Sequence, residues 1–355
     1  MVTLQQLLKT VVQQDASDLH IVAGSPPILR VRGKIIRIKS DVLDFEATKR
    51  LCYSILTDFQ KGQFEEQHEL DFSFGVKKMA RFRANLFFQK GNVSGVFRRI
   101  PLEIPNFDDL GLPKSLAQLI EYPNGLVLIT GPTGSGKTTT IVSLIDKINA
   151  EKSGHIVTLE DPIEYLIDHK KCIVNQREIG SDTESFERAL KSILRQDPNY
   201  VMMGELRDLE TIEAAIKVAE TGHLVFATLH TNSSVQSLNR IISVFPSDQQ
   251  ERVRVLLSFV LRGIVSQRLV PTVTEEVIPV AEVLFVNSGI ANLIRDNKLH
   301  QIYGMMQMGQ DKTGMTTLNQ NLIKHVLRRK IDFRVAFAIS PDPEELDGMM
   351  KKAGI

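Results

Sequence analysis

The chain has no tryptophan and only two cysteines, Cys52 and Cys172, among 355 residues. Two distant thiols cannot build a disulfide framework, and they have no metal-ligand spacing. Reduced, packed cysteines in a cytoplasmic protein are expected. A long apolar run is also missing. The longest, Val253 to Val265, is broken by Arg254 and Arg262, too short and too charged to cross a bilayer. The amphipathic start, Met1 to Val12, runs directly into Gln13, Gln14 and Asp15, so no signal peptide is expected. Any membrane association is expected through partners only. Charge of one sign is lacking too: 43 Lys plus Arg face 42 Asp plus Glu, a formal net charge of +1. That balance argues against a surface built to neutralise nucleic acid, though a local basic patch stays open. No internal repeat or low-complexity run occurs.

What is present is concentrated at residues 131 to 138. Gly131, Pro132, Thr133, Gly134, Ser135, Gly136, Lys137 and Thr138 match the phosphate-cradling pattern G-x-x-x-x-G-K-[ST]. Glycines let the backbone curl so that its N–H groups face phosphate oxygens. The lysine of such a loop reaches the β- and γ-phosphates, and the hydroxyl at Thr138 ligates Mg²⁺. The flanks agree. Leu126 to Thr130 reads as a buried strand, and Thr139 to Ile148 as a helix with Ile141, Leu144, Ile145 and Ile148 on one face. ATP or ADP with Mg²⁺ is the ligand expected, with Thr139 in the cradle as well. A Gly-rich turn without a ligand is the plain alternative.

Around the loop the pattern is α/β. Residues 1–100 read as a small mixed domain. It has a helical stripe from Leu4 to Val12, strands at 19–22 and 28–38, a helix at 45–59, and strands at 71–74, 80–89 and 93–99. A Pro/Asp/Gly-rich linker is expected at 101–115, starting at Pro101. In 116–270, strands at 155–159, 200–203 and 224–229 alternate with helices at 185–194, 209–220 and 234–242. Alternation of that kind predicts a parallel sheet with helices on both faces. Residues 271–355 read as mostly helical from Val283 onward.

Hydrolysis needs carboxylates as well as a cradle. Two acidic clusters end strands, where ligands of open α/β sheets bind. Met203-Gly204-Glu205 closes a hydrophobic strand, making Glu205 the leading candidate for water activation or metal positioning. Glu164 shares that role. Glu160 and Asp161 are weaker candidates, since Asp161 before Pro162 equally suits a helix N-cap. Arg207, beside Glu205, is grouped with the nucleotide-binding residues. Histidines flank the strand 224–229. His230, at its C-terminal end, stands where a γ-phosphate sensor belongs, and His223 is a second nucleotide-site candidate. Arg81, Arg83, Arg98 and Arg99 alternate along the N-terminal strands. They form either a solvated basic face or arginines offered to a neighbouring subunit's triphosphate.

Together these residues resemble one family, the secretion-type ATPases that drive type IV pili and type II secretion. The marks are the phosphate loop, the acidic box Leu159 to Glu164, the signature Leu194-Arg-Gln-Asp-Pro-Asn-Tyr-Val-Met-Met-Gly-Glu-Leu-Arg-Asp208, and the histidine box His223 to His230. Asn199 departs from the Asp usual there. Within the family the chain looks like the pilus retraction ATPases. It starts almost at Ala16-Ser17-Asp18-Leu19-His20 without extra N-terminal domains, and it lacks the four-cysteine motif of assembly enzymes. Gly289 to Asp296 is similar to the retraction signature, departing at Gly289, Ala291 and Asp296. The resemblance implies a PAS-like N-terminal domain joined to a RecA-like P-loop domain with a helical C-terminal subdomain. It further implies a homohexamer whose ATP site lies between the domains and is completed by a neighbour. The partner it implies is the pilus platform protein at the cytoplasmic face of the inner membrane. A pilus assembly or type II secretion ATPase is the nearer alternative, and a RecA-like DNA-dependent ATPase the more distant one.

Overall fold

The structure, a computed structural model, describes residues 2–31, 33–76, 79–100, 103–274, 276–308 and 310–354. Pro101 and Leu102 of the expected linker lie outside them. The chain divides into two units. One holds residues 1–103 together with Pro162–Leu166, and the other Ile104–Asp161 together with Ile167–Ile355.

Among the described residues, the first unit is a six-stranded antiparallel sheet with three helices. Helix α1 (Leu4–Gln13) begins at Thr3, whose hydroxyl caps Gln6 N–H while the Gln6 side chain returns to Thr3 N–H. Its apolar stripe Leu4, Leu7, Leu8 and Val11 is buried. Strands β1 (Asp18–Ile21), β2 (Ile28–Val31) and β3 (Lys34–Arg37) follow, then α2 (Phe45–Tyr53), α3 (Asp58–Gln67), β4 (Glu69–Val76), β5 (Ala80–Gln89) and β6 (Asn92–Ile100). The sheet order is β3-β2-β1-β6-β5-β4. In β5 burial alternates from Ala80 through Leu86, as one covered face requires. Phe64, Phe82 and Phe97 are fully buried at the centre.

Two expectations are revised here. The strand expected at 28–38 is the hairpin β2–β3, in which Val31 pairs with Lys34 and Gly33 sits at φ +79°. The helix expected at 45–59 is two helices. Thr57 opens α3 with its own reciprocal cap to Gln60. Strand β3 is an outer edge with all four residues exposed, including Ile35 and Ile36.

The second unit holds β7 (Gly125–Thr130), α4 (Lys137–Glu151), β8 (Gly154–Glu160), β9 (Cys172–Glu178), α5 (Phe186–Ile193), β10 (Tyr200–Glu205), α6 (Leu209–Glu220) and β11 (Leu224–Leu229). Helices α7 (Ser234–Val244) and α8 (Gln250–Val260) then lead to β12 (Leu261–Pro271) and β13 (Val277–Phe285). The sheet order is β13-β12-β7-β11-β10-β8-β9, parallel except for β13. Buried on both faces, β7 and β11 are apolar from Leu126 to Ile129 and from Leu224 to Ala227. The sheet extends beyond the expected 270/271 division, since β12 runs through it and β13 lies past it. Helices α9 (Ser288–Arg295), α10 (Ile302–Met306), α11 (Gln310–Thr313), α12 (Leu318–Leu327), α13 (Phe333–Ile339) and α14 (Pro343–Lys352) complete the chain. Leu318, Leu322, Ala336 and Leu346 form a small core there with Val270 and Val280. Among the described residues no helix is long and apolar enough to cross a membrane.

Candidate active site

The phosphate loop joins the end of β7 to α4, and its shape depends on glycine. Gly131, Gly134 and Gly136 sit at φ +145°, +78° and +82°. At Gly131 space is decisive as well, because a Cβ would lie 2.3 Å from the main-chain oxygen of Gln267. Gly136 is the N-cap of α4 and offers no side-chain acceptor to the first-turn N–H groups. These amides and the helix dipole suit an anion. Thr138 and Thr139 lie half-buried in that first turn.

From the loop a row of polar side chains crosses the ends of three adjacent strands. Lys137 is buried, and its Nζ donates to Gly131 O at 2.9 Å and Pro132 O at 3.0 Å. The same Nζ lies 3.5 Å from His230 Nδ1. His230 Nε2 is 3.0 Å from Glu205 Oε1. Arg207 Nε donates to Glu205 Oε2 at 2.9 Å, and its Nη1 lies 3.8 Å from Asp161 Oδ2. Hydrogen bonding to Glu205 raises the Arg207 pKa above its ordinary value. The strand order β7-β11-β10 produces this row, because Lys137, His230 and Glu205 follow or end neighbouring parallel strands. Glu205 is turned into line by a register shift between Met203 and Glu205, where the Thr228 hydroxyl bonds Gly204 O.

Other candidates fall elsewhere. His223 precedes β11, whose first residue pairs with Gly125 at the start of β7, and its carbonyl accepts from Gly125 N–H. With about 3.3 Å per residue, that end is on the order of 17 Å from the loop. The placement of His223 in the nucleotide site is therefore corrected: its Nδ1 lies 3.1 Å from Val218 O and closes the α6–β11 turn. Glu160 is buried, and it accepts from the Thr158 hydroxyl at 2.6 Å and Gln176 Nε2 at 3.0 Å. No helix follows Asp161, so the N-cap alternative fails. Glu164 belongs to the segment Pro162–Leu166 that groups with the first unit.

Within that first unit the arginines have partners. Arg98 Nε donates to buried Asp18 at 2.9 Å, Arg83 Nε lies 4.0 Å from Asp71, Arg81 bonds the Ser73 hydroxyl, and Arg99 pairs with Asp15 at 2.9 Å. Burial works to raise the Asp18 pKa, but the Ser17 hydroxyl and the Arg98 guanidinium together hold it below 3.8.

Two departures from the family signatures, Asn199 and Gly289, have local explanations. Asn199 Oδ1 accepts from His155 N–H at 2.8 Å, as a carboxylate would. Gly289 makes room for Met305, whose Cε would lie 2.7 Å from a Cβ. Sequence reasoning missed one residue at the loop, Gln267 of β12. It is buried, donating from Nε2 to Ser135 O at 2.5 Å and accepting at Oε1 from Thr140 Oγ1 at 2.8 Å. Its immediate sequence, Val265-Ser-Gln-Arg-Leu269, carries three polar residues in a row and no nucleotide-binding motif, so no local signal singled it out.

A family model for the type II/IV secretion system protein matches residues 1–331. The chain is 44% identical over 319 residues to the type IV pilus retraction ATPase PilT of Pseudomonas aeruginosa, covering 90% of this chain and 92% of that protein. It is 39% identical over 348 residues to the type IV pilus ATPase PilU of the same organism, covering 98% and 91%. The crystal structure of the pilus retraction motor PilT with bound ADP superposes with a TM-score of 0.92 at 47% identity, covering 98% and 99%.

Proposed function

Because the chain belongs to the type II/IV secretion system protein family, we propose that it is an ATP-hydrolysing motor that retracts type IV pili. In this reading it works as a homohexamer on the cytoplasmic face of the inner membrane, against the pilus platform protein. Its units are the PAS-like and RecA-like domains of such motors, the second with a helical C-terminal part. The observation that carries the reading is the row Lys137–His230–Glu205–Arg207 beside a glycine loop at the carboxyl ends of parallel strands. Relatives named for pilus retraction, one solved with ADP, support it.

Each residue then has a task. The loop amides from Gly131 to Thr139 and the α4 N-terminus bind the phosphates. Lys137 exchanges two loop carbonyls for β- and γ-phosphate oxygens. Mg²⁺, when bound, would supply positive charge against that developing on the phosphates. Among the described residues no cluster of three His, Cys, Asp or Glu side chains could hold a metal. The donor set that fits is the Thr138 hydroxyl plus phosphate oxygens, as is usual for this ion. Glu205 orients the attacking water, and Arg207 fixes the direction of that carboxylate. His230, between Lys137 and Glu205, senses the γ-phosphate. Glu164 is the second acid, and Arg81, Arg83 and Arg98 are offered to a neighbouring subunit's nucleotide.

Two measurements test this. ATPase rate per subunit, followed across a protein-concentration series with light scattering, should rise and saturate as rings form. Monomers with constant specific activity would refute the shared site. Cells lacking the chain should keep surface pili but lose twitching, whereas cells without pili would identify an assembly motor instead.

A further inference from the structure

We propose that Gln267 is a positioning residue of the nucleotide site, setting the phosphate loop in its binding shape before ATP arrives. The inference rests on the nucleotide-binding reading above and adds a residue that the loop motif does not contain.

Gln267 is anchored on the sheet beside the loop. Its predecessor Ser266 pairs with Thr130, the last residue of β7, and the two hydroxyls bond at 2.7 Å. The next residue therefore projects level with the loop. Its side chain bonds the loop and the first turn of α4, not another strand. The direction of the amide follows from chemistry. A main-chain carbonyl can only accept, so Nε2 must face Ser135 O, leaving Oε1 for the Thr140 hydroxyl. Glutamine alone among uncharged side chains of this length gives a donor and an acceptor in one plane.

The consequence lies in the Ser135–Gly136 peptide. In a trans peptide the C=O and the following N–H point in opposite directions. Holding Ser135 O against β12 turns the Gly136 N–H away from β12. The Thr140 bond ties the same amide to α4, whose N-terminus forms the other half of the cradle. At the loop's start, the Gln267 main-chain oxygen fills the space a Gly131 Cβ would need. One residue thus braces the loop at both ends. A loop already in its bound shape loses less entropy when the phosphates bind.

The test uses the full chain, with fluorescent-ADP titration and steady-state ATP hydrolysis. Gln267→Leu keeps the bulk and removes both bonds. Losing such bonds should weaken ADP binding and raise the ATP KM about tenfold, with kcat changed less than about threefold. Lys137, His230 and Glu205 remain in place. Gln267→Glu sets a carboxylate against the Ser135 carbonyl, so it should bind ADP worst at pH 8. Burial raises the pKa of such a carboxyl, and its protonated form can donate to Ser135 O. ADP affinity of this variant should therefore recover toward wild type as pH falls to 6, when corrected for the wild-type trend. A merely structural glutamine would not produce that recovery.

ADP affinity within twofold of wild type in folded Gln267→Leu would overturn the proposal. So would an unrecovered Gln267→Glu, or a loss seen in kcat and not in KM. If Gln267→Leu fails to fold, Thr140→Val removes one bond from the other side and should raise KM about threefold. An unchanged KM there overturns the proposal equally. A wild-type chain that neither binds nor hydrolyses ATP would instead sink the motor reading, so the two failures are distinguishable.

Discussion

Replacing Glu205 by Gln separates the structural from the chemical worth of that side chain. The substitution keeps the shape and removes the charge. In stability the cost should be small. Arg207 and His230 are 62% and 42% exposed at their side chains, and Glu205 is 26% exposed. Solvent-screened pairs of that kind contribute about 1 kcal/mol or less. Nucleotide affinity should hold or rise slightly, because the site keeps Lys137 and Arg207 and loses a negative charge near the phosphates. Turnover should behave differently. A group that positions or accepts a proton from the attacking water is worth roughly 100- to 10,000-fold. A hundredfold loss corresponds to about 2.7 kcal/mol of barrier, more than the stability cost. The assay is phosphate release at saturating ATP, paired with ADP titration and a thermal melt on one preparation. A kcat within about fivefold of wild type, with unchanged binding, would refute the assignment, as it falls well below the range for general-base catalysis.

Gly131→Ala should abolish measurable ADP binding and lower stability by about 1–3 kcal/mol, since its Cβ meets main chain at a positive φ; a normal titration would contradict the packing. Lys137→Ala should leave the melt nearly unchanged and remove ATP hydrolysis, read by phosphate release; retained turnover would refute its phosphate role. For Arg98→Ala the sign follows from Asp18. A carboxyl held below 3.8 adds stability above its unfolded pKa, and that stability is lost as pH falls through the folded value. Removing Arg98 moves the folded value back up, so acid unfolding followed by circular dichroism should begin at higher pH. With Arg98 69% exposed, the neutral-pH cost should stay below about 1 kcal/mol. If Arg98 also acts on a neighbour's nucleotide, turnover falls more than about tenfold with binding retained. Asn199→Asp should be neutral in melt and turnover, because either side chain presents an oxygen to His155 N–H.

The loop and its strand were legible because both are local patterns: an octapeptide, an apolar run and a helical stripe. Glu205 and His230 were legible because each closes an apolar strand, and parallel neighbours bring such ends together. His223 precedes the same strand as His230, at its N-terminal end, so the rule that favoured His230 already argued against it. Strand β12 was hidden by continuity. Val253 to Val265 is mostly apolar apart from Arg254, Ser258 and Arg262, and the chain passes from α8 into β12 at Val260–Leu261 with no glycine or proline at that junction. Gln267 was hidden with it, since its partners are Ser135 and Thr140, more than a hundred residues away in the chain. The break between α2 and α3 was readable in principle, in Thr57 and Gln60 at capping-box spacing.

The outer strand of the first unit bears on how the protein behaves in a tube. Ile35 and Ile36 are 52% and 48% exposed on β3, which among the described residues is an unpaired edge of the kind that recruits a second copy and starts aggregation. Antiparallel self-pairing that sets Ile35 against Ile36 would also set each Lys34 against the Arg37 of the second copy, a like-charge opposition that disfavours the dimer. The two cations act as gatekeepers, and their reach depends on the buffer. Near 1 M salt the screening length shrinks to about 3 Å, and the protection weakens with it. Concentrated stocks should therefore cloud sooner in high salt than in low salt, and replacing either isoleucine with threonine should delay it.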